Sequence, residues 1–163
     1  MSQEPGEPGN VMLRDTGPGD DQFLFKLYAS TREEEMAPWG WGAAQKEMFL
    51  RMQFQAWQHG LVADALKTTD SIILRDGERI GRIVVVRSSS EICLADIALL
   101  PNHRGAGIGA TLIGELQAEA AAGSLPLRLQ VVRDNRAARL YHRLGFAVIG
   151  DSGFHFKMEW LPR

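Results

Sequence analysis

The spacing of apolar residues divides the chain into helices and strands. Ala137, Leu140, Tyr141 and Leu144 follow the i, i+3, i+4, i+7 pattern of an amphipathic helix. Short apolar runs indicate strands, and Asp76-Gly77 between two of them predicts a hairpin. The predicted strands cover residues 11–14, 71–75, 79–87, 91–100, 127–132, 146–149 and 154–160, and the predicted helices cover residues 20–30, 43–59, 110–122 and 135–144.

The turn between the strand at 91–100 and the helix at 110–122 carries the strongest chemical signal. Its sequence is Arg104-Gly105-Ala106-Gly107-Ile108-Gly109-Ala110. Glycines at the start of a helix allow several backbone N–H groups to point the same way, and the helix dipole adds positive potential there. The turn therefore predicts binding of a cofactor that carries a pyrophosphate.

Two classes of cofactor fit a glycine-rich turn. The spacing Gly105-x-Gly107-x-x-Ala110 matches a loose dinucleotide-binding pattern. That pattern also needs an acidic residue about 20 positions further on, at the end of the next strand, to bind the ribose. The strand at 127–132 has no acidic residue before Asp134, and the strands preceding the turn have the character of antiparallel hairpins. The dinucleotide interpretation is therefore disfavoured.

The second interpretation rests on two signatures. Arg104-x-x-Gly107-x-Gly109 resembles the acetyl-CoA loop of the GCN5-related N-acetyltransferases, the GNAT superfamily. The segment from Asn135 through Ala138 and Tyr141 to Gly145-Phe146 is similar to a second segment of that family. The resemblance covers about residues 72–160 and is closest to bacterial members. It implies an α/β fold whose mixed, mostly antiparallel sheet of about six or seven strands contains a splayed parallel pair, with helices on its faces.

The resemblance also implies an activity and a set of cofactor-binding residues. The activity is transfer of an acetyl group from acetyl-CoA to a primary amine. The backbone near the end of the strand at 91–100 would bind the pantetheine arm and polarise the carbonyl, and the turn would hold the pyrophosphate. The implied cofactor-binding residues are Ala98, Leu99, Arg104, Gly105, Ala106, Gly107, Ile108, Gly109, Ala110, Asn135 and Tyr141.

Two residues are candidates for proton transfer. Tyr141 lies on the apolar face of its helix, from which a phenol can protonate a departing thiolate. Asp96 lies within an apolar strand, on the side opposite Ile97 and Leu99, and a carboxylate there needs a partner or a function. Asp96 is therefore a base or a ligand for the substrate amine, a structural hydrogen-bonding group, or a solvated side chain.

The acceptor is expected to be a small molecule. The second helix carries two adjacent apolar stripes, which predicts burial on two sides, a homodimer contact, or a roof over the acceptor cleft that Trp39 and Trp41 would join. Glu33, Glu34 and Glu35 follow the first helix, near where such folds shape the acceptor site. Two alternatives stay open: a CoA-binding regulatory module without activity, and a transferase acting on proteins or peptides. The stripes are Phe49, Met52 and Ala56, and Leu50, Phe54 and Trp57.

Composition limits the remaining possibilities. A chain of 163 residues with 45% hydrophobic and 23% charged residues predicts one globular domain over residues 11–163, after a disordered tail at 1–10. It has no apolar run of membrane-spanning length and no secretion signal, and its single Cys fits a reducing cytoplasm. The four His residues lack metal-ligand spacing, and the arginines lack the interleaved aromatics expected of a nucleic-acid surface.

Overall fold

A computed structural model of the chain describes residues 10–62, 67–133 and 135–163. The predicted tail at 1–10 therefore lies outside the described residues except for Asn10, which is exposed and bonds to the hairpin at Asp76. None of the described helices is long and apolar enough to cross a membrane.

The described chain forms one seven-stranded sheet with four helices. The strand order is β1-β2-β3-β4-β5-β7-β6, in which β4 and β5 are parallel and all other neighbours are antiparallel. The predicted mixed sheet with one parallel pair is confirmed. The strands are β1 Val11–Asp15, β2 Thr68–Arg75, β3 Glu78–Arg87, β4 Ile92–Leu99, β5 Leu127–Val132, β6 Ala147–Asp151 and β7 His155–Trp160, and the helices are α1 Asp21–Met36, α2 Ala43–Val62, α3 Ile108–Ala122 and α4 Ala137–Arg143.

The first helix is longer than predicted. It continues six residues past Ser30 to Met36, because the polar side chains at this point support the helix instead of ending it. The hydroxyls of Ser30 and Thr31 donate hydrogen bonds to the carbonyls of Leu27 and Tyr28, both at 2.7 Å. A 3-10 turn containing Pro38 then follows the helix.

Helices cover both faces of the sheet and produce two apolar cores. The larger core lies between the sheet and the pair α3 and α4, and includes Ile113, Leu129 and Met158. The smaller core joins α1 and α2 to the opposite face of the sheet, through Leu24 and Phe54. This second face contains the polar pocket described below.

The two parallel strands separate soon after they pair. Only the first three residues of β4 pair with β5, from Ile92 opposite Leu127 to Leu94 opposite Leu129. Beyond Leu94, β4 continues beside β3 alone as far as Leu99. The splayed parallel pair expected from the resemblance is therefore present.

A bulge in β4 decides which side chains face the gap. Val84 of β3 lies opposite Asp96 and Val85 lies opposite Leu94, so Ala95 is the extra residue. Because strand side chains alternate, one extra residue exchanges the two faces. Leu94 and Ile97 therefore contact the larger core, and Asp96 is placed on the α1 and α2 side.

Close packing of β3 against the end of β4 predicts a stability effect at Gly81. A Cβ atom at Gly81 would lie 2.2 Å from the backbone oxygen of Ala98, which cannot move without disturbing the sheet. We expect Gly81→Ala to lower the free energy of unfolding by about 1–3 kcal/mol in denaturant titrations. The matched control is Gly114→Ala in α3, where a Cβ meets nothing within 4 Å and should be neutral or stabilising. Equal stability of the two variants would contradict this packing.

Candidate functional site

The glycine-rich turn follows β4 and leads directly into α3. Gly105 and Gly107 have φ angles of +79° and +82°, in the left-handed region that favours glycine. A Cβ at either position would meet no atom within 4 Å, so open space surrounds the turn. The backbone conformation and the open space together leave room for a ligand against the peptide groups.

Backbone donors at the start of α3 form an anion-binding arrangement. The first helical hydrogen bond runs from the Thr111 N–H to the Gly107 oxygen at 3.0 Å. The N–H groups of Ile108, Gly109 and Ala110 precede this bond and so have no intrahelical acceptor. Three orphan donors at the positive end of a helix dipole suit a phosphate group. The turn fits the pyrophosphate of a CoA-type cofactor.

Arg104 and Ala106 connect the turn to the rest of the sheet. The exposed Arg104 donates a hydrogen bond from Nε to the Leu99 oxygen at 3.0 Å, which holds its side chain beside the end of β4. Ala106 is half-buried against the larger core. Ala98 and Leu99 lie past the last pairing of β4 with β5, so β5 offers their backbone no hydrogen-bond partner.

Asp96 faces a small pocket between the sheet and α1. Burial raises the pKa of its carboxyl to about 6, although Arg82 and Arg32 lower it in part. Val84, its neighbour on β3, is fully buried, so the carboxylate lies in a weakly polar environment. The pocket measures about 80 Å³, and its lining residues are Leu24, Leu27, Tyr28, Thr31, Arg32, Trp57, Arg82, Asp96 and Ala98.

Tyr141 approaches the same region from the other side of the sheet. Its side chain is 6% exposed and its ring packs against Phe146 at a centroid distance of 5.8 Å. No described residue hydrogen-bonds its hydroxyl, which is not among the completely buried polar atoms. Burial first, and the Asp96 carboxylate second, raise the pKa of Tyr141 to about 12. The two candidate proton-transfer residues therefore interact electrostatically.

Asn135 serves as a cap for α4. Its Oδ1 accepts a hydrogen bond from the Ala137 N–H at 2.9 Å, and its backbone oxygen accepts one from the Ala138 N–H at 3.1 Å. The side chain is exposed. The hydrogen bond to Ala137 satisfies a donor at the first residue of α4, which begins two residues later than predicted.

Sequence reasoning missed Arg82, the most buried charged side chain in the pocket. Arg82 is 2% exposed and pairs with Asp70, with Nε donating to Oδ1 at 2.8 Å and Nη2 donating to Oδ2. Its Nη2 also donates to Gln58 at 3.2 Å, and its guanidinium lies over the Trp57 ring at 4.7 Å. A charge within the apolar run from Ile80 to Val86 was the available signal, the same one that identified Asp96.

The acceptor residues expected from α1 and α2 are only partly at the pocket. Trp57, from one apolar stripe of α2, lines it, whereas Met52 from the other stripe is 66% exposed. Trp39 and Trp41 pack against Phe49 at 5.9 and 5.3 Å and do not line the pocket. Glu33 is exposed, and the side chains at 34 and 35 lie outside the described part of the chain.

A larger groove of about 480 Å³ lies between α1 and α2. Its lining includes Phe25, Arg51 and Gln55, and contains neither a proton-transfer candidate nor a residue of the glycine turn. The smaller pocket is therefore the better candidate site, because its wall contains the proton-transfer candidate Asp96 although its volume is smaller. Among the described residues, no group of three or more His, Cys, Asp or Glu side chains is arranged to hold a metal ion.

Comparison with known proteins agrees with this geometry. Residues 68–148, which include Arg82, Asp96, the glycine turn and Tyr141, match the family described as Acetyltransferase (GNAT) domain. The chain belongs to the GNAT acetyltransferases. As a member of this family it is an acetyl-CoA-dependent N-acetyltransferase, and the resemblance seen in the sequence is confirmed.

One relative and two solved structures show which individual proteins this chain is similar to. The chain is 26% identical over 125 residues to the [Ribosomal protein bS18]-alanine N-acetyltransferase of Haemophilus influenzae, covering 74% of this chain and 73% of the relative. PaiA N-acetyltransferase from Thermoplasma acidophilum, solved in complex with coenzyme A, superposes with a TM-score of 0.72 at 20% identity, covering 93% and 99% of the two chains. Ard1 from Thermoplasma volcanium gives 0.64 at 18% identity, covering 94% and 98%. The two structures share the fold of this chain.

The glycine turn gives a binding prediction for this GNAT domain. We expect acetyl-CoA at 100 times its Kd to stabilise the protein by about 2.7 kcal/mol, visible as a rise in melting temperature, and NADH to cause no rise. Gly107→Val should abolish the rise, because the new side chain would occupy the space in front of the orphan N–H groups.

The control separates backbone strain from loss of the site. Gly153→Val introduces the same side chain at another left-handed glycine, at φ +92° in open space between β6 and β7. Both variants should be less stable, but Gly153→Val should keep the acetyl-CoA shift. A folded Gly107→Val protein with an unchanged shift would exclude the turn as the binding site.

Proposed function

We propose that this enzyme acetylates the primary amine of a small-molecule acceptor by direct transfer, with both substrates bound together. The observation that supports this proposal is a pocket of about 80 Å³ with the Asp96 carboxylate in its wall, next to the point where β4 leaves β5. The pocket is small, and side chains of α1 and α2 close it on the side opposite the sheet.

The donor would be held along the end of β4 and the start of α3. Acetyl-CoA supplies an acetyl group activated as a thioester. The backbone of Ala98 and Leu99 would bind its pantetheine arm. The turn from Gly105 to Ala110 would bind its pyrophosphate, with Arg104 beside it. Neither Gly109 nor Ala110 carries a side chain large enough to obstruct a phosphate at the helix end.

Asp96 is proposed as the group that receives the amine and its proton. An ionised carboxylate in a partly desolvated pocket attracts an ammonium group more strongly than one in water. The ammonium first loses one proton to solvent, because only the neutral amine has a lone pair for attack, and the carboxylate accepts the second proton as the nitrogen forms its bond to the acetyl carbon. A pKa of about 6 keeps Asp96 mostly ionised at neutral pH, and it makes the carboxylate a better base than an exposed aspartate.

Tyr141 is proposed as the acid for the departing thiolate. As the carbon–sulfur bond breaks, the phenol donates its proton to the sulfur. The raised pKa keeps Tyr141 fully protonated at neutral pH. The phenolate left behind is a strong base, and it regains a proton through its remaining contact with solvent. In sum, one proton leaves the amine and one reaches the thiolate.

A protein or peptide N-terminus is the second candidate acceptor. The Haemophilus relative acts on an alanine of a ribosomal protein, which favours this alternative. A peptide would need an open groove beside Asp96, whereas Tyr28, Arg32 and Trp57 line this pocket on its helical side. We therefore place the small-molecule acceptor first.

One assay separates these functions. Free-thiol release from acetyl-CoA would be measured across a panel of amines, amino acids and peptides with free N-termini. We expect release with small primary amines. Release with peptides alone would favour the second candidate, and binding of acetyl-CoA without release for any amine would indicate a non-catalytic module.

Replacing Tyr141 by Phe tests the proposed acid. The change removes one hydroxyl that makes no hydrogen bond to a described residue, so the fold and the acetyl-CoA affinity should be preserved. We expect kcat to fall by about 10²–10⁴. The deficit should lie in kcat because protonation belongs to the chemical step. An unchanged rate, with chemistry shown to be rate-limiting, would assign the proton to water or another group.

Replacing Asp96 by Asn tests whether its carboxylate is functional or structural. The pKa of Asp96 is higher in the folded than in the unfolded protein, so ionisation of this carboxyl opposes folding. Its ionisation therefore lowers the free energy of unfolding as the pH rises from about 4 through 6. At pH 7.5, Asp96→Asn should therefore gain about 1–3 kcal/mol of stability while losing activity. The wild-type kcat/KM should rise with pH around 6. A destabilised variant would instead indicate a structural hydrogen-bonding role.

A further inference from the structure

Arg82 carries a buried donor for which the described part of the chain supplies no acceptor. Its three hydrogen bonds to described residues go from Nε and Nη2 to Asp70 and Gln58, while Nη1 is completely buried and bonds to none of them. Arg82 lines the same pocket as Asp96. A buried guanidinium N–H without a partner is costly, so it points to a group that the pocket receives.

The surrounding contacts fix the guanidinium in place. Its Nε and Nη2 edge is held by the Asp70 carboxylate, and its plane lies over the Trp57 ring at 4.7 Å. The remaining Nη1 edge is thus oriented before any ligand arrives. A guanidinium edge preorganised in this way suits an oxygen that bears negative charge.

The charges around the pocket indicate what kind of acceptor would fit. Arg82 and Arg32 are cationic, and Asp70 and Asp96 are anionic, so the four side chains sum to zero. Arg82 is paired with Asp70, whereas Asp96 lies opposite Val84 on β3, and no ion pair joins Asp96 to Arg82 among the described residues. A ligand with one ammonium and one carboxylate would match both ends of the pocket.

We propose that the acceptor is a small amino acid-like molecule whose carboxylate binds Nη1 of Arg82 while its amine faces Asp96. This rests on the proposed function and narrows the acceptor to amines that carry a carboxylate. Arg82 would be the residue that determines specificity, and it would place the nitrogen for attack without taking part in proton transfer.

Matched acceptors test the proposal on the unaltered enzyme. Initial rates of thiol release from acetyl-CoA would be compared for L-amino acids, their carboxamides, and the corresponding amines that lack the carboxyl group. We expect the acids to exceed both other series by about 10²-fold or more in kcat/KM, because only they place a charged oxygen on the buried guanidinium, whereas the amides offer a neutral acceptor and the plain amines offer none. Equal or better rates with the amides or the plain amines would overturn the proposal.

A variant connects this preference to Arg82. Arg82→Lys keeps the positive charge beside Asp70 but removes the Nη1 donor. It should lower the ratio of kcat/KM for acids to kcat/KM for amides by about 10–100-fold, with the loss for the acids mainly in KM. The matched control is Arg51→Lys, which makes the same change on an exposed arginine in the other groove. The acid preference should persist in that variant.

The outcomes separate this proposal from the proposed function. Acetylation of small amines without a preference for acids, or a preference that survives in Arg82→Lys, overturns the role of Arg82 alone. If no small amine is acetylated and peptides are, both proposals fall. If Arg82→Lys does not fold, the comparison of acids, amides and amines on the wild-type enzyme still decides the matter.

Discussion

The single extra residue in β4 is the constraint on which the site depends. Without the bulge at Ala95, the alternation that places Ile92 and Leu94 in the larger core would also bury Asp96 there, among aliphatic side chains. With it, Ile97 and Leu99 continue the core and the carboxylate faces the pocket. The same stretch of β4 has already parted from β5, so the reoriented side chain and the backbone without a β5 partner lie together.

The site concentrates polar groups that do not stabilise the fold. Asp96 is ionised in a place that favours its neutral form. The Tyr141 hydroxyl, which keeps some contact with solvent, and the buried Nη1 of Arg82 make no hydrogen bond to a described residue. Elsewhere, buried charges are satisfied: the Asp20 carboxylate accepts hydrogen bonds from Arg14, Arg79 and the Gly17 N–H. Unsatisfied groups that cluster where the family motif lies are expected of a site that awaits its ligands.

Local signals in the sequence were enough for several parts of this structure. The glycine turn, the hairpin at Asp76-Gly77 and the start of α4 at Asn135 depend on residues close in sequence, and each was predicted with bounds that differ by a few residues. Helix α1 was predicted to end at about Ser30, whereas it continues to Met36, and the hydroxyls of Ser30 and Thr31 bond back to the preceding turn. The prediction that Asp96 lies on the face of β4 opposite Ile97 and Leu99 is also confirmed, because side chains alternate regularly between the two faces after the bulge.

The sequence by itself determined the order of the elements, the glycine-rich turn before α3 and the family, because these depend on spacing along the chain. Tertiary structure decided which distant residues share the pocket. Arg82 pairs with Asp70 from the neighbouring strand and lies under Trp57 of α2, and only the register of β2 and β3 with the docking of α2 brings the three together. Such contacts depend on the register of neighbouring strands and on the separation of β4 from β5, and neither can be predicted from the spacing of apolar residues along the chain.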